Sequence, residues 1–532
     1  MPSFVHVVAV VAAFSVSFSN AVPTQPNETV SKPAFETTCG GKNYVYDGLA
    51  GYGFVPPSNV DKYGDTIGGF GSSIAISGWK KSGKSYKGTL YGLPDRGWNT
   101  NGSINFIPRV HKFALTFTPN PAASISKPGS PNIDLKYQDT ILLKGPDGTP
   151  ATGLDADVGG ALKYPGFPDL PVATYTGDGF GGAGPGGKAI PIDSEGIVLT
   201  SDGGFWISDE YGPYVYKFDA SGKMTKAIRP PNAILPLRNG TVSFNANTAP
   251  RSDPKRKTIP ANPTQGRQNN QGFEGLTTAP KGETLYVLLQ SAAFQEGGAN
   301  ASTRFNTRFL KYSIKDSKKD PELQAEYVVQ LPIFKDASNA TKVAAQSEVH
   351  YISDTQFLIL ARDSGNGHGQ SGSKSLYRHA DIFDITKATN IKGTYDAFNQ
   401  SIASINGALK TGITPATYCS FLDFNLNSEL NKFGVHNGGA QDAGLLNEKW
   451  EGLALLPVIG EDKQGKRDGK GKDKEDGDEY YLFSLSDNDF ITQNGKIDGG
   501  KISYADASGF SLDNQALVFK VTIPKGSKPL KS

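Results

Sequence analysis

The sequence predicts an all-β chain folded as a β-propeller of four-stranded antiparallel blades, six in number, with five and seven as alternatives. Three observations carry this prediction. Glycine (63), phenylalanine (29) and tyrosine (22) are abundant while methionine is scarce (2), which suits short strands and tight turns better than helical bundles. A Glu-Gly-Leu/Ile strand recurs, each copy followed by a second apolar strand that ends on a polar or acidic residue. Third and fourth strands follow, as in Tyr214-Val215-Tyr216-Lys217-Phe218 and Tyr327-Val328-Val329-Gln330-Leu331, and four antiparallel strands make a blade.

Taken in chain order, residues 1–21 read as a secretory signal. Val7 to Phe18 is an apolar run too short to span a bilayer, and Ser19-Asn20-Ala21 is a small-x-small cleavage site. Residues 22–43 are polar and Pro-containing and are expected to be a flexible lead. A single propeller domain is then expected over 44–524. Its first, weakest copy is Gly71-Ser72-Ser73-Ile74-Ala75 with Leu90 to Arg96. The full copies begin at Ser194-Glu195-Gly196-Ile197, Phe273-Glu274-Gly275-Leu276, Ser347-Glu348-Val349 and Trp450-Glu451-Gly452-Leu453. Glycine after the glutamate would let neighbouring innermost strands approach closely. A sixth blade is expected within 396–444, where the repeat has decayed. The insert 460–479 alternates Lys, Asp, Glu and Gly, cannot bury apolar surface, and is expected to be a disordered loop. Strands at the two chain ends, Tyr44 to Asp47 and Ala516 to Val521, are expected to pair within one blade and close the ring.

Composition narrows the function classes. Basic and acidic residues nearly balance, 54 against 52, which argues against a nucleic-acid partner. No later segment is apolar enough for a membrane span. Two cysteines, Cys39 and Cys419, are expected to form a disulfide in an oxidising compartment. Glycosylation sequons at Asn27, Asn101, Asn239, Asn300, Asn339 and Asn399 agree with a secreted, extracellular glycoprotein, expected to be a monomer. There is no Gly-x-Ser-x-Gly elbow, no phosphate-binding P-loop and no zincin helix.

The segments Leu93-Pro94-Asp95-Arg96-Gly97, Asp193-Ser194-Glu195-Gly196-Ile197, Trp206-Ile207-Ser208-Asp209-Glu210-Tyr211-Gly212, Gly272-Phe273-Glu274-Gly275-Leu276, Arg362-Asp363-Ser364-Gly365 and Trp450-Glu451-Gly452-Leu453 resemble the esterase-like phytase family, the phytase-like domain of secreted and bacterial proteins. The resemblance spans most of the mature chain and implies hydrolysis of phosphate or carboxylic esters. It brings no catalytic set, so the site is inferred from the residues themselves.

Ring symmetry would bring Glu195, Glu274, Glu348 and Glu451 toward one axis, with Asp95, Asp209, Asp363 and Asp487 on a common face. Crowded carboxylates repel and raise one another's pKa values. A hard cation such as Ca²⁺, held by Glu195, Glu274, Glu348, Glu451, Asp95 and Asp487, would relieve this. So would ion pairs with Arg96 and Arg362, and the glutamates could equally be structural acceptors for backbone N–H groups between blades. In the catalytic reading Asp209, Glu210 or Asp363 takes a proton from water, His350 or His368 serves as acid or base, and Arg96 or Arg362 clamps an anionic substrate. Two functional classes stay open: a cation-dependent hydrolase of a small-molecule ester or phosphate, and a non-enzymatic, calcium-stabilised propeller that binds a small ligand or an extracellular polymer.

Overall fold

The computed structural model describes residues 33–460 and 477–531. Five four-stranded antiparallel units follow one another along the described chain, each in meander order from its inner strand outward. Unit I comprises Ser73–Ser82, Ser85–Leu93, Arg109–Phe117 and Ile133–Leu142. Unit II comprises Ser194–Leu199, Phe205–Asp209, Val215–Phe218 and Met224–Ile228. Unit III comprises Phe273–Thr278, Thr284–Leu289, Asn306–Ser313 and Glu322–Gln330, and unit IV comprises Ala345–Tyr351, Gln356–Arg362, Arg378–Asp384 and Thr417–Asp423. Unit V is built from both ends of the chain. Lys449–Pro457, Asp478–Asp487 and Asn514–Ile523 are completed by Lys42–Val55, which pairs antiparallel with Asn514–Ile523. The expected pairing of the chain ends is therefore present, with Tyr46 opposite Val521. A single parallel bridge, Gly53 to Ile133, joins the outer edges of units V and I. Four two-stranded ribbons decorate the connections.

Burial follows strand rank. The inner strand of unit II is buried at nearly every position, whereas the outer strand Ile133–Leu142 alternates between covered and exposed side chains. Inner strands are covered on both faces and so read as continuous apolar runs, while outer ones carry the period-two pattern of a half-solvated strand. Apolar clusters fill the spaces between successive units. Ile207 and Tyr216 meet Leu93 and Val110 between I and II, and Leu276 and Leu285 meet Val198 and Trp206 between II and III. Phe309 meets Phe357 between III and IV, Leu360 and Ile382 meet Leu455 and Phe519 between IV and V, and Phe483 and Val518 meet Ile74 and Leu90 between V and I.

Glycine makes the inner approach possible. A Cβ on Gly196 would lie 2.6 Å from Leu276 Cβ and 2.7 Å from the Glu274 carbonyl; one on Gly275 would lie 2.6 Å from the Val349 nitrogen. Backbone on the neighbouring strand cannot give way, so the residue after each of these glutamates has to be glycine.

Three expectations about extent change. Phe35–Cys39 pairs with Lys42–Val55, so the end of the expected lead is sheet, tied by the Cys39–Cys419 disulfide to the outer strand of unit IV. The stretch 396–444 forms no further unit; it supplies the strand Thr417–Asp423 and the short helical turns Asn427–Leu430 and Asn431–Phe433. Asp478 and Glu479 begin a strand, and the rest of the charged insert lies mostly outside the described residues, as do the expected signal segment and the Asn27 sequon. The other five sequon asparagines are exposed. Among the described residues no helix is long and apolar enough to cross a membrane.

Candidate functional site

The start of each inner strand is irregular, and this places the acidic side chains. In unit II, Ser194 pairs with Asp209 and Gly196 with Ser208, so Glu195 is the extra residue of a β-bulge. Glu451 is skipped in the same way between Trp450 and Gly452, and Glu274 with Gly275 between Phe273 and Leu276. A bulge re-aims the side chain it carries. In unit IV the skipped residue is Ser347, and Glu348 itself pairs with Leu360. Glu348 is therefore one position out of step with its sequence counterparts. Its carboxylate accepts from the backbone nitrogens of Leu276 (3.1 Å) and Val349 (2.9 Å) and from the Ser73 hydroxyl, which is the expected structural role between units.

The remaining glutamates converge. Burial, then Glu274, Asp193, Glu210 and Glu451, hold the Glu195 carboxyl well above the usual carboxylate range. Burial, then Glu210 and Glu451, do the same to Glu274, against Arg362 and Lys449. Glu210 is pushed up to about 8 by burial and Asp193, opposed by Arg96, Lys449 and Arg267. Carboxylate oxygens of Asp193, Glu195 and Glu210 lie within 4.8 Å of one another. Glu210 Oε1, Glu274 Oε2 and Glu451 Oε2 are buried without a hydrogen-bond partner. Such oxygens are costly to bury and are suited to a cation.

Three bases border the cluster. Arg96 forms an ion pair with Asp193 Oδ2 (3.2 Å) and donates to Asn270 Oδ1; Arg362 donates to Glu451 Oε1 (2.6 Å). Lys449 Nζ sits 2.9 Å from both Asp487 and Asp489, 3.6 Å from Asp95 and 3.8 Å from Glu451. Burial opposes its charge, but these four carboxylates outweigh it and hold the ammonium well above its ordinary value. Asp95 and Asp487 do cluster, with oxygens within 4.8 Å of each other and of Asp489, and the Lys449 ammonium lies among these carboxylates.

Several candidate catalytic groups are committed elsewhere. Asp209 accepts from the nitrogens of Asp193 (2.9 Å), Tyr211 (3.0 Å) and Gly212 (2.9 Å) and from the Tyr216 hydroxyl (3.2 Å), so it staples the loop that presents Glu210. Asp363 does the same for Ser375, Leu376 and Asn366. His350 is buried, donates to the Leu530 carbonyl (3.0 Å), and burial lowers its pKa to about 4, so it stays neutral. It lines an apolar cavity of about 540 Å³ shared by the inner strands and the C-terminal tail. His368 packs edge-on against Phe510 in a surface loop. Of the expected catalytic groups, Glu210 alone stands in the acidic cluster.

Sequence reasoning missed Asp193 and Lys449. Each lies two residues before a cluster glutamate, a spacing that puts side chains on one face of an extended segment, so Asp193-x-Glu195 and Lys449-x-Glu451 carried a usable signal. It also missed Asn270 and Gln290. These two, with Arg362 and Ser347, line a cavity of about 710 Å³. Gln290 donates to Glu274 and Arg362 to Glu451, so the cavity adjoins the carboxylates through residues common to both.

Over residues 73–490 the chain matches the phytase-like family model, described as esterase-like activity of phytase. It is 50% identical over 518 residues to an uncharacterized secreted protein of Arthroderma benhamiae, covering 95% of this chain and 99% of that one. Among solved structures it is similar to an N-acetylgalactosamine deacetylase from F. plautii (TM-score 0.30, 9% identity, 90% of this chain and 95% of that chain). It is also similar to a carbohydrate-active enzyme of Trichoderma reesei (TM-score 0.23, 10% identity, 92% of each chain). Likenesses this loose bear on neither fold nor activity.

Proposed function

The chain belongs to the phytase-like family, and from that premise we propose that it is a secreted, cation-dependent hydrolase of phosphate or carboxylic esters, built as a five-bladed propeller. The blade reading is supported by the apolar cluster that packs unit V against unit I as the other clusters pack successive units. The observation that carries the function is the acidic cluster, whose buried oxygens on Glu210, Glu274 and Glu451 accept no hydrogen bond.

Asp193, Glu195 and Glu210 would hold the cation, and Ca²⁺ suits such an all-oxygen set. When bound, it supplies Lewis-acid polarisation of a phosphoryl or acyl oxygen. The chain's own residues supply the rest. Glu274 Oε2, buried without a hydrogen-bond partner, would accept the proton of the attacking water once a bound cation offsets the neighbouring carboxylates and leaves this one ionised. Gln290 holds the other oxygen of Glu274 and fixes its orientation. Arg362, fixed by Glu451, faces the adjoining cavity and meets the negative charge that develops on the ester.

The test is turnover by the purified protein on panels of phosphate monoesters and acyl esters, with calcium and after chelation. Turnover should disappear with chelator, and Glu274→Gln should lower kcat by about 10²–10⁴-fold, the usual worth of a general base, without lowering the melting temperature. Calcium should restore melting after chelation better than magnesium, whose small octahedral shell fits poorly. Turnover that persists with chelator or in Glu274→Gln refutes the mechanism. A melting temperature that depends on calcium, with no turnover on either panel, selects the calcium-stabilised binding protein instead.

A further inference from the structure

The cavity of about 710 Å³ is lined by three cations, Arg304, Lys342 and Arg362. Two are spoken for: Arg362 by Glu451, and Lys342 by Asp336 at 3.7 Å. Arg304 pairs with no carboxylate among the described residues. Its Nε is buried without a partner, and burial alone accounts for the lowered pKa of its guanidinium. Among the other buried arginines, Arg96, Arg109, Arg308 and Arg362 pair with carboxylates, and Arg238 and Arg267 donate to backbone carbonyls. Arg378 also has no carboxylate partner, but it donates to the Asn366 carbonyl and does not line this cavity, so Arg304 is the cavity's one cation without a counter-charge among the described residues. The Arg304 backbone is anchored, its carbonyl accepting from Ala292 N at 3.0 Å ahead of the strand Asn306–Ser313. Around it the cavity offers the hydroxyls of Ser347 and Ser364 and the second amide hydrogen of Gln290 as further donors. The two carboxylates on the wall are already occupied, Asp363 by Ser375, Leu376 and Asn366, and Asp336 by Ser338, Ala340 and Lys342.

A half-buried guanidinium with no counter-charge is expensive to keep and is relieved by an anion that presents two oxygens to its fork. We propose that Arg304 anchors an anionic group of the substrate, a phosphate or a carboxylate, in this cavity, so that the ester beyond it reaches the carboxylates through the wall shared with Gln290 and Arg362. This rests on the hydrolase reading for the word substrate, but the anion site itself can be tested without turnover. Arg304 and the acidic cluster then divide the work: one takes charge already present on the ligand, the other a cation and the reacting oxygen.

The experiment is titration of the purified protein with inorganic phosphate and, separately, with acetate, read by calorimetry and by melting temperature. At least one anion should bind the wild type; binding by phosphate alone or by acetate alone identifies which group the site takes. Arg304→Gln should weaken that anion at least about tenfold, and Arg304→Lys, which keeps the charge but not the fork, by less. The calcium-dependent rise in melting temperature should be the same in both variants, which establishes that they are folded; should the Gln variant not fold, the Lys variant decides by whether its affinity falls. Binding of neither anion to the wild type, or equal binding to wild type and variants, overturns the proposal. Anion binding that is lost in Arg304→Gln in a protein without turnover leaves the site standing and removes the hydrolase reading alone.

Discussion

Lys449→Ala tests how the central charges are balanced. The lysine ammonium is the shared partner of Asp487, Asp489, Asp95 and Glu451, at 2.9, 2.9, 3.6 and 3.8 Å. Each contact at about 4 Å and an effective dielectric of about 20 represents about 4 kcal/mol of gross attraction, most of it offset by desolvation. Removing one partner of such a buried arrangement costs about 3–5 kcal/mol. For a chain of this size the entropy of unfolding is on the order of 1 kcal/mol/K, so the melting temperature should fall by about 3–5 °C at pH 8. The loss should depend on pH. Burial already raises Asp487 to about 7, with Lys449 the first influence pulling it down. Without the lysine the folded-state pKa climbs further. A carboxyl raised in the folded state contributes stability that is complete below its unfolded pKa and is lost as pH rises through the folded value. The gap between variant and wild type should therefore be small near pH 4 and widen to pH 8. Calcium should recover part of it, because three carboxylates within 4.8 Å then face an open position. The assay is differential scanning calorimetry across pH with and without calcium. A variant that melts with the wild type at pH 8, or a gap independent of pH, would refute this account.

Three further outcomes follow from particular contacts. The Cys39–Cys419 bond closes a loop of 380 residues; its removal by Cys39→Ala with Cys419→Ala should cost about 2–4 kcal/mol, and a reductant should shift the denaturation midpoint of the wild type alone. Asp209→Asn should lower stability by about 1–3 kcal/mol for each donor it leaves unsatisfied, since the amide nitrogen opposes N–H groups that now meet a carboxylate. Glu210→Gln should instead stabilise the calcium-free protein at pH 8, because the folded site already favours the neutral form up to about 8; a Glu210→Gln variant less stable than Asp209→Asn would reverse the roles given to the two neighbours.

Much of the site was legible because its signals are local. Glu195, Glu274 and Glu451 each stand before a glycine at the head of an apolar strand; a Cβ at Gly196 or Gly275 would collide with the next inner strand, and one at Gly452 would press on the Ile74 side chain at 3.1 Å. Glu348 stands before valine, and that departure marks the place where the correspondence slips by one residue. Slippage depends on where a bulge falls, which the partner strand decides. Asp209 and Asp363 look like Asp95 and Asp487 in sequence, each ending an apolar strand, yet loop donors take both oxygens of the first two, whereas Asp95 and Asp487 each give one oxygen to a loop N–H and turn the other to Lys449. Loop conformation has no periodicity to read. The expected sixth blade at 396–444 failed for a related reason: apolar residues there cap unit IV and the ends of unit III, and burial alone does not distinguish a strand from a packed loop.

By itself the sequence determined the strand repeat, the acidic residue at the head of three inner strands, the pairing of the chain ends and the disulfide. The repeat and its acidic heads follow from spacing within a short window, the disulfide from there being two cysteines in the chain, and the pairing of the ends from the need to close a sheet edge. The tertiary structure decided which carboxylates are neutralised and by what. Lys449 meets Asp95 and Asp487 because distant segments of the chain converge there, and among the described residues no carboxylate does the same for Arg304, whose Nε is buried without a hydrogen-bond partner. Coulomb energy and desolvation depend on distance in space, and a linear sequence holds that distance only where the residues are close along the chain.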